Sequence, residues 1–257
     1  MSAAAPRLEI VALEGVPDIA AGDDLCQVVL DAYAASGLAP AAGDILVIAQ
    51  KIVSKAEGRR VDLDDVSPSP RAERLARETD KDARVIELIL AESERVMRVR
   101  PGLIVVRHRL GYVLANAGID ASNVEDGGDR RVLLLPEDPD GSAAAIRAEI
   151  GRRSGVAPGV IVADSLGRAW RLGTAATALG AAGVTALADL RGRPDMFGRP
   201  LTVSEVGLAD QIAAAAALAM GEADERRPIA LLRGLAAASD AARAADLIRP
   251  RELDLFC

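Results

Sequence analysis

Eight strand-length apolar runs recur along this chain, and helix-patterned segments separate most of them; that alternation constrains the fold more than any other feature. The runs are LEIVAL (8–13), DILVIAQKIVS (44–54), GLIVVRH (102–108), GYVLANA (111–117), VLLLP (132–136), GVIVADS (159–165), VTALADL (184–190) and PIALLRG (228–234). Each is bounded by Gly, Pro, Asp or Asn, as strands are. Asp23 and Asp24 read as the first turn of a helix with Leu25, Val28, Val29 and Ala32 on one face. The charged stretch 67–97 reads as one or two exposed amphipathic helices, residues 143–155 as a helix stopped by Gly155, and 208–221 as a long buried helix stopped by Gly221. An exposed helix and the tail RPRELDLFC follow the last strand. The 109–111 step between GLIVVRH and GYVLANA reads as a hairpin. The fold class is mixed α and β. No fixed-period repeat and no low-complexity linker divides residues 1–257, so they read as one unit, with two interwoven subdomains and no clean boundary.

Composition narrows the function. Aromatic residues make up 2% of the chain, too few for base-stacking platforms. The core must therefore come from Ala, Leu, Val and Ile. A net charge of −7 argues against binding a duplex, which calls for a basic face. The longest apolar run, Ile212–Met220, is well short of the ~20 residues that span a bilayer. The first ten residues lack the pattern of a secretion signal. Cys26 and Cys257 are too few for a disulfide scaffold or a zinc site. The chain thus reads as a cytoplasmic protein.

The sequence contains no GxxxxGK[ST], no GxGxxG after a strand, no GxSxG and no HExxH. The sole histidine, His108, cannot build a His-based metal site and reads as a locally hydrogen-bonded residue. Carboxylates at strand exits remain. Asp164 and Ser165 follow GVIVA, and ligands of open α/β sheets gather at the carboxyl ends of strands. An aspartate beside a hydroxyl supplies hard oxygens suited to Mg²⁺ or Mn²⁺. Asp120 follows its strand in the same way, with Asn123 three residues on. Taken singly, each is also an ordinary aspartate capping a turn. GRAWRLG (167–173) offers Arg168 and Arg171 as anion or substrate contacts, against the alternative of a surface loop with a buried indole. MGEADERRP (220–228) reads as a helix end and a charged loop. Of 31 basic residues only Lys51, Lys55 and Lys81 are lysine, and two of them stand four apart, which suggests a need for compact ammonium groups or a chance pairing on a solvated strand end.

In this order, VPDI, IAQKIVSKAEGR, ANAGIDASN, DSLGRAWRLG, LADQIAAAAALAMGE and PIALLRG resemble the coenzyme F420-0:L-glutamate ligases over nearly the whole chain, in the stand-alone form or the N-terminal domain of the two-domain mycobacterial type. The resemblance implies a family-specific fold, neither Rossmann nor ATP-grasp, and an intertwined homodimer. It implies GTP-dependent joining of L-glutamate to coenzyme F420-0 through an acyl phosphate, with GDP and phosphate released and further γ-linked glutamates added in some members. Two divalent ions, Mg²⁺ or Mn²⁺, are expected, with K⁺ a further candidate. By position, Asp120, Asp164, Ser165 and Glu222 resemble the metal ligands. Val16, Pro17, Asp18, Ile19, Gln50, Lys55, Asn123, Met220, Gly221, Glu222, Ala223, Asp224, Glu225, Arg226 and Arg227 resemble the GTP-binding positions. Glutamine is common in the family at position 222, Gln50 stands where serine or threonine is frequent, and Asp210–Gln211 replaces an Asp-Glu pair. No residue is implied as a general base. Two other classes use the same residues: a metal-dependent phosphohydrolase and a non-catalytic nucleotide-binding module.

Overall fold

The computed structural model describes residues 7–120, 130–236 and 242–254. In chain order the strands are β1 Glu9–Ala12, β2 Ile45–Ala49, β3 Arg60–Asp62, β4 Ser93–Arg100, β5 Leu103–His108, β6 Val113–Ala115, β7 Arg131–Leu133, β8 Gly159–Arg168, β9 Arg171–Ala182, β10 Leu187–Asp189, β11 Glu205–Gly207 and β12 Ile229–Arg233. The helices are α1 Leu25–Ala35, α2 Gln50–Ala56, α3 Pro70–Thr79, α4 Ala83–Ala91, α5 Pro139–Ser154 and α6 Leu208–Met220. The mixed class expected from the sequence is present.

A five-stranded sheet in the order β1-β12-β2-β8-β9 forms the centre. Only β2 and β8 are parallel, with Ala49 level with Ala163; the other neighbours are antiparallel. Because successive side chains point to opposite faces, Leu46, Ile48, Val160, Val162, Ile229 and Leu231 meet α1 and α5 on one side. Ile45, Val47, Ile161, Ala163, Ala230 and Leu232 meet α6 on the other. Burial on both faces explains why these strands read as unbroken apolar runs rather than alternating ones. The alanines of α6 (Ala209, Ala213, Ala216) pack on Ala176, Ala178 and Ala181 of β9, so small side chains let helix and sheet approach closely. At Gly180 of β9 a Cβ would lie 2.1 Å from the Pro139 carbonyl oxygen, so only glycine lets α5 begin there.

The helix ends follow the sequence with one shift. Asp24 accepts from the N–H groups of Cys26 and Gln27, so it caps α1 instead of lying in its first turn. Gly155 ends α5 in the left-handed region. Between β2 and β8 the chain builds a smaller layer, with α3 and α4 packed on the β4-β5-β6 sheet through Ala72, Ile86, Ile89, Ile104 and Val106.

Several elements differ from expectation. The run 44–54 is not one strand: β2 ends at Ala49 and α2 begins at Gln50. At seven residues α2 is too short to show a helical period, and Ile52 and Val53 resemble a continuing strand. The charged stretch forms two helices, but its end, SERVM, enters β4. GRAWRLG is neither a loop with a buried indole nor a free segment. It is the tip of the β8–β9 hairpin, with Trp170 82% exposed. After β12 the described residues hold short 3-10 turns at Ala244–Leu247 and Arg251–Leu253, and residues 237–241, where the expected exposed helix falls, lie outside the described residues.

His108 is fully buried, its Nδ1 accepting from the Leu110 N–H and its Nε2 3.4 Å from Glu92 Oε2. Glu92 also pairs with Arg59 and Arg109. Burial pushes this carboxyl up, but His108, Arg59 and Arg109 outweigh it and bring it down to about 2. Arg59 also donates to the Leu135 carbonyl, so the cluster ties the smaller layer to the segment that follows α2. Among the described residues no helix is long and apolar enough to cross a membrane.

Candidate active site

The parallel pairing of β2 and β8 stops at Ala49 and Ala163, and the candidate groups stand just beyond it; Asp164 and Ser165 therefore lie within β8, which runs on to Arg168, and not at a strand exit as the sequence suggests. From β2 the backbone turns directly into α2, whose first two turns carry Gln50, Lys51 and Lys55. From β8 come Asp164 and Ser165. The loop after β1 supplies Val16–Ile19, and the segment after α6 supplies Met220–Arg227. Together they line one cleft of ≈ 550 Å³, with Ala213 and Ala217 of α6 on its apolar side.

The Met220–Arg227 segment leaves the helix through Gly221, at φ 79° and ψ 175°, backbone that glycine alone adopts readily. A side chain there would also strike the Glu225 carboxyl, 2.2 Å from where a Cβ would stand. The turn places Glu222 over β8, where the Ser165 hydroxyl donates to its Oε1 and Oε2 at 2.8 and 2.7 Å. The Glu225 carboxylate accepts from the Ala223 N–H and closes the loop on itself.

Asp120 is held from the other side. Its backbone forms an isolated bridge with Leu133 at the end of β7, donating and accepting across it. Its carboxylate reaches α2, where Lys51 Nζ lies 2.6 Å from Asp120 Oδ2. Asp164 sits within the field of this pair. Its carboxyl is pushed up to about 6, chiefly because it is withdrawn from water; the Ser165 N–H and the Lys51 charge pull it back, and the Asp120 and Glu222 charges raise it further. A carboxylate raised in this way, in a cleft beside an ion-paired lysine, makes this corner the candidate site for chemistry.

The sequence-derived positions converge in large part. Val16, Pro17, Asp18, Ile19, Gln50, Lys55 and the whole of Met220–Arg227 line the cleft, as do Asp164 and Ser165. Asp120 stands beside them through Lys51. Asn123 lies outside the described residues. Arg168 and Arg171 are exposed at the hairpin tip and do not line the cleft of this chain; Arg168 donates to the Leu172 carbonyl. Gln50 is buried, with Oε1 accepting from Ser54 Oγ at 2.9 Å. Asp210 accepts from the Ala178 N–H, which makes it a bracket between α6 and β9 rather than a reacting group. Lys51 had no assigned role in the sequence, although the lysine pair pointed at it: on a helix, four residues apart is the same face.

Residues 15–234 match the family model described as F420-0:Gamma-glutamyl ligase. The chain belongs to that family. It is 42% identical over 252 residues to the coenzyme F420:L-glutamate ligase of Methanothermobacter thermautotrophicus, covering 97% of this chain and 98% of that protein. It is 45% identical over 229 residues to the enzyme of that name from Methanopyrus kandleri, covering 89% of this chain and 87% of that protein. The relative of the same name from Archaeoglobus fulgidus is 41% identical over 250 residues, covering 97% and 96%. The matched span contains every segment that lines the cleft, from residue 16 to residue 228.

Proposed function

We propose that this chain joins L-glutamate to coenzyme F420-0, using GTP to activate the acceptor's carboxylate. The observation that carries this reading is the meeting of four segments distant in sequence (16–19, 50–55, 164–165 and 220–227) in one cleft where the parallel pairing of β2 and β8 stops. A carboxylate is a poor electrophile. Transfer of the γ-phosphoryl group to one of its oxygens gives an acyl phosphate and GDP; the glutamate amine then attacks the acyl carbon, phosphate leaves and the amine gives up a proton.

Such transfer depends mainly on position and on charge neutralisation. Lys55 and Lys51 supply compact positive charge, and the 220–227 segment closes over the nucleotide. Asp120, Asp164, Ser165 and Glu222 offer hard oxygens, which fit Mg²⁺ or Mn²⁺ in chemical type. Among the described residues no three His, Cys, Asp or Glu come together around one point, so one or two carboxylates would hold the ion weakly and nucleotide phosphates would complete the coordination. A divalent ion bound there would neutralise the phosphate oxygens during transfer. K⁺ would serve as an accessory ion, and repeated γ-linked addition belongs to the same reading.

A homodimer is part of the proposal. Trp170 and Leu172 at the tip of β8–β9, and Met196, Phe197 and Val203 in the arm between β10 and β11, are 74% to 98% exposed. Apolar side chains projected on hairpins fit burial against a second copy. Light scattering should give twice the chain mass.

Incubation with F420-0, L-glutamate, GTP and Mn²⁺ should add one glutamate mass and release phosphate and GDP. Phosphate release that ignores glutamate and F420-0 would instead identify a phosphohydrolase. A folded protein that binds GTP but forms no product would identify a nucleotide-binding module.

A further inference from the structure

The contact that stands out in the cleft is the one between Lys51 and Asp120. Lys51 lies in the first turn of α2, directly after β2, and the strand paired with β2 is β8, which carries Asp164 just beyond the last parallel pair. Its Nζ is 2.6 Å from Asp120 Oδ2, and both side chains are more than two-thirds covered. The same ammonium acts on Asp164, which also feels Asp120 and Glu222. Three carboxylates therefore border one corner of the cleft without closing around it, and Lys51 reaches into it from α2 to pair with Asp120. Lys55, one turn further along α2, lines the same cleft.

We propose that Lys51 is a built-in counter-ion of this acidic corner, which a divalent cation replaces at Asp120, turning the ammonium toward the nucleotide's phosphates. The proposal rests on the metal- and GTP-dependent reading above and adds an exchange to it. An acidic corner without a cation would repel itself, and a flexible four-carbon stem carrying a point charge can both fill the place and leave it. A guanidinium, with its planar fork, would hold a carboxylate in a bidentate grip and release it less readily. That distinction gives a physical reason for lysine at this position in a chain that uses arginine 28 times and lysine three times. Lys51 is thus a positioning residue for the cation and a phosphate contact once displaced.

The test compares wild type, Lys51→Met and Lys55→Met, all free of nucleotide and at low salt, with Mn²⁺ titrated and the free ion measured by electron paramagnetic resonance. Lys51→Met should bind Mn²⁺ about tenfold more tightly, ~1.4 kcal/mol, and Lys55→Met less than about threefold more tightly, since its charge lies farther from Asp120. With only three lysines in the chain, ¹³Cε-lysine labelling gives a spectrum simple enough to assign by these variants. Addition of Mg²⁺ to wild type should move the Lys51 signal and leave Lys81 in place. Equal or weaker Mn²⁺ binding in Lys51→Met, or a Lys51 signal indifferent to Mg²⁺, overturns the exchange while glutamate ligation in wild type leaves the ligase reading standing. Failure of wild type and both variants to bind Mn²⁺, with no glutamate-dependent product, overturns both.

Discussion

Asp164→Asn should make the metal-free protein more stable and its catalysis worse. The carboxyl of Asp164 is pushed from 3.8 up to about 6 by its removal from water and by the neighbouring Asp120 and Glu222 charges. The folded state therefore holds this proton more tightly than the unfolded chain does. Stability from that source is complete below pH 4 and is lost as pH rises to about 6, because folding then forces a charge into a place that disfavours it. At ~1.36 kcal/mol per unit the ceiling is about 3 kcal/mol, and part-exposure to solvent brings the expected figure to about 2 kcal/mol. Asparagine removes the charge while its oxygen can still accept the Ser165 N–H. For a chain of this size 2 kcal/mol corresponds to a melting shift of about 4–8 °C. Calorimetry in EDTA should find Asp164→Asn melting higher than wild type by that amount at pH 7.5, and the two coinciding near pH 4. Glutamate-dependent product in the same variant should fall by at least about 10²-fold, the usual scale for loss of a group that stabilises developing charge. A variant that melts below wild type at pH 7.5, or a difference that does not change with pH, would refute the reasoning and make Asp164 a structural residue.

Three further outcomes follow from the same geometry. Lys55→Arg should lose most of its turnover with little change in melting temperature, because a fork does not replace a point charge against phosphate; wild-type rates would show the charge alone to be sufficient. Glu92→Ala should cost about 3 kcal/mol by leaving Arg59, Arg109 and His108 without their shared partner, measured by urea denaturation at pH 7. Since the Glu92 carboxyl is lowered from 4.5 to about 2, its contribution is full above pH 4.5 and fades as pH falls toward 2, so variant and wild type should converge in acid. Gly180→Ala should destabilise by about 1–3 kcal/mol, the scale of an overpacked core, since the added methyl meets the Pro139 carbonyl at 2.1 Å; an unchanged melting temperature would show that α5 can retreat at no cost.

What the sequence reveals of this fold depends on where burial leaves a pattern. β2, β8 and β12 are covered on both faces, so their composition announces them without reference to anything else. β9 is as long as any strand in the molecule, yet RLGTAATALGAA contains Gly and Ala where a strand favours branched or aromatic residues. Its conformation comes from pairing with β8 and from the close approach of α5 and α6, and neither is local. β4 hides for the opposite reason. Its charged, largely exposed residues belong to a strand on the edge of a three-stranded sheet, and edge strands carry charges that read equally well as a solvated helix.

The site follows the same logic, with one consequence for chemistry. VPDI, DS and MGEADERR carry unusual residues in loops and just beyond the last parallel pair, where side chains answer to a ligand more than to packing, so they stand out in the sequence and meet in the cleft. Lys51 is harder to place because a strand-like sequence covers the short helix that carries it. On a continuing strand, residues 51 and 55 would be separated by about 13 Å along the backbone at ~3.3 Å per residue; on α2 they rise by about 6 Å and share a face. The change from strand to helix at Gln50 therefore converts two separate surface lysines into a pair overlooking one acidic corner. Helix geometry alone does not say which of the two faces the carboxylates. The bridge of Asp120 to Leu133 decides that: it holds the carboxylate within reach of the first turn of α2, so Lys51 pairs with Asp120 while Lys55 lines the cleft one turn further on.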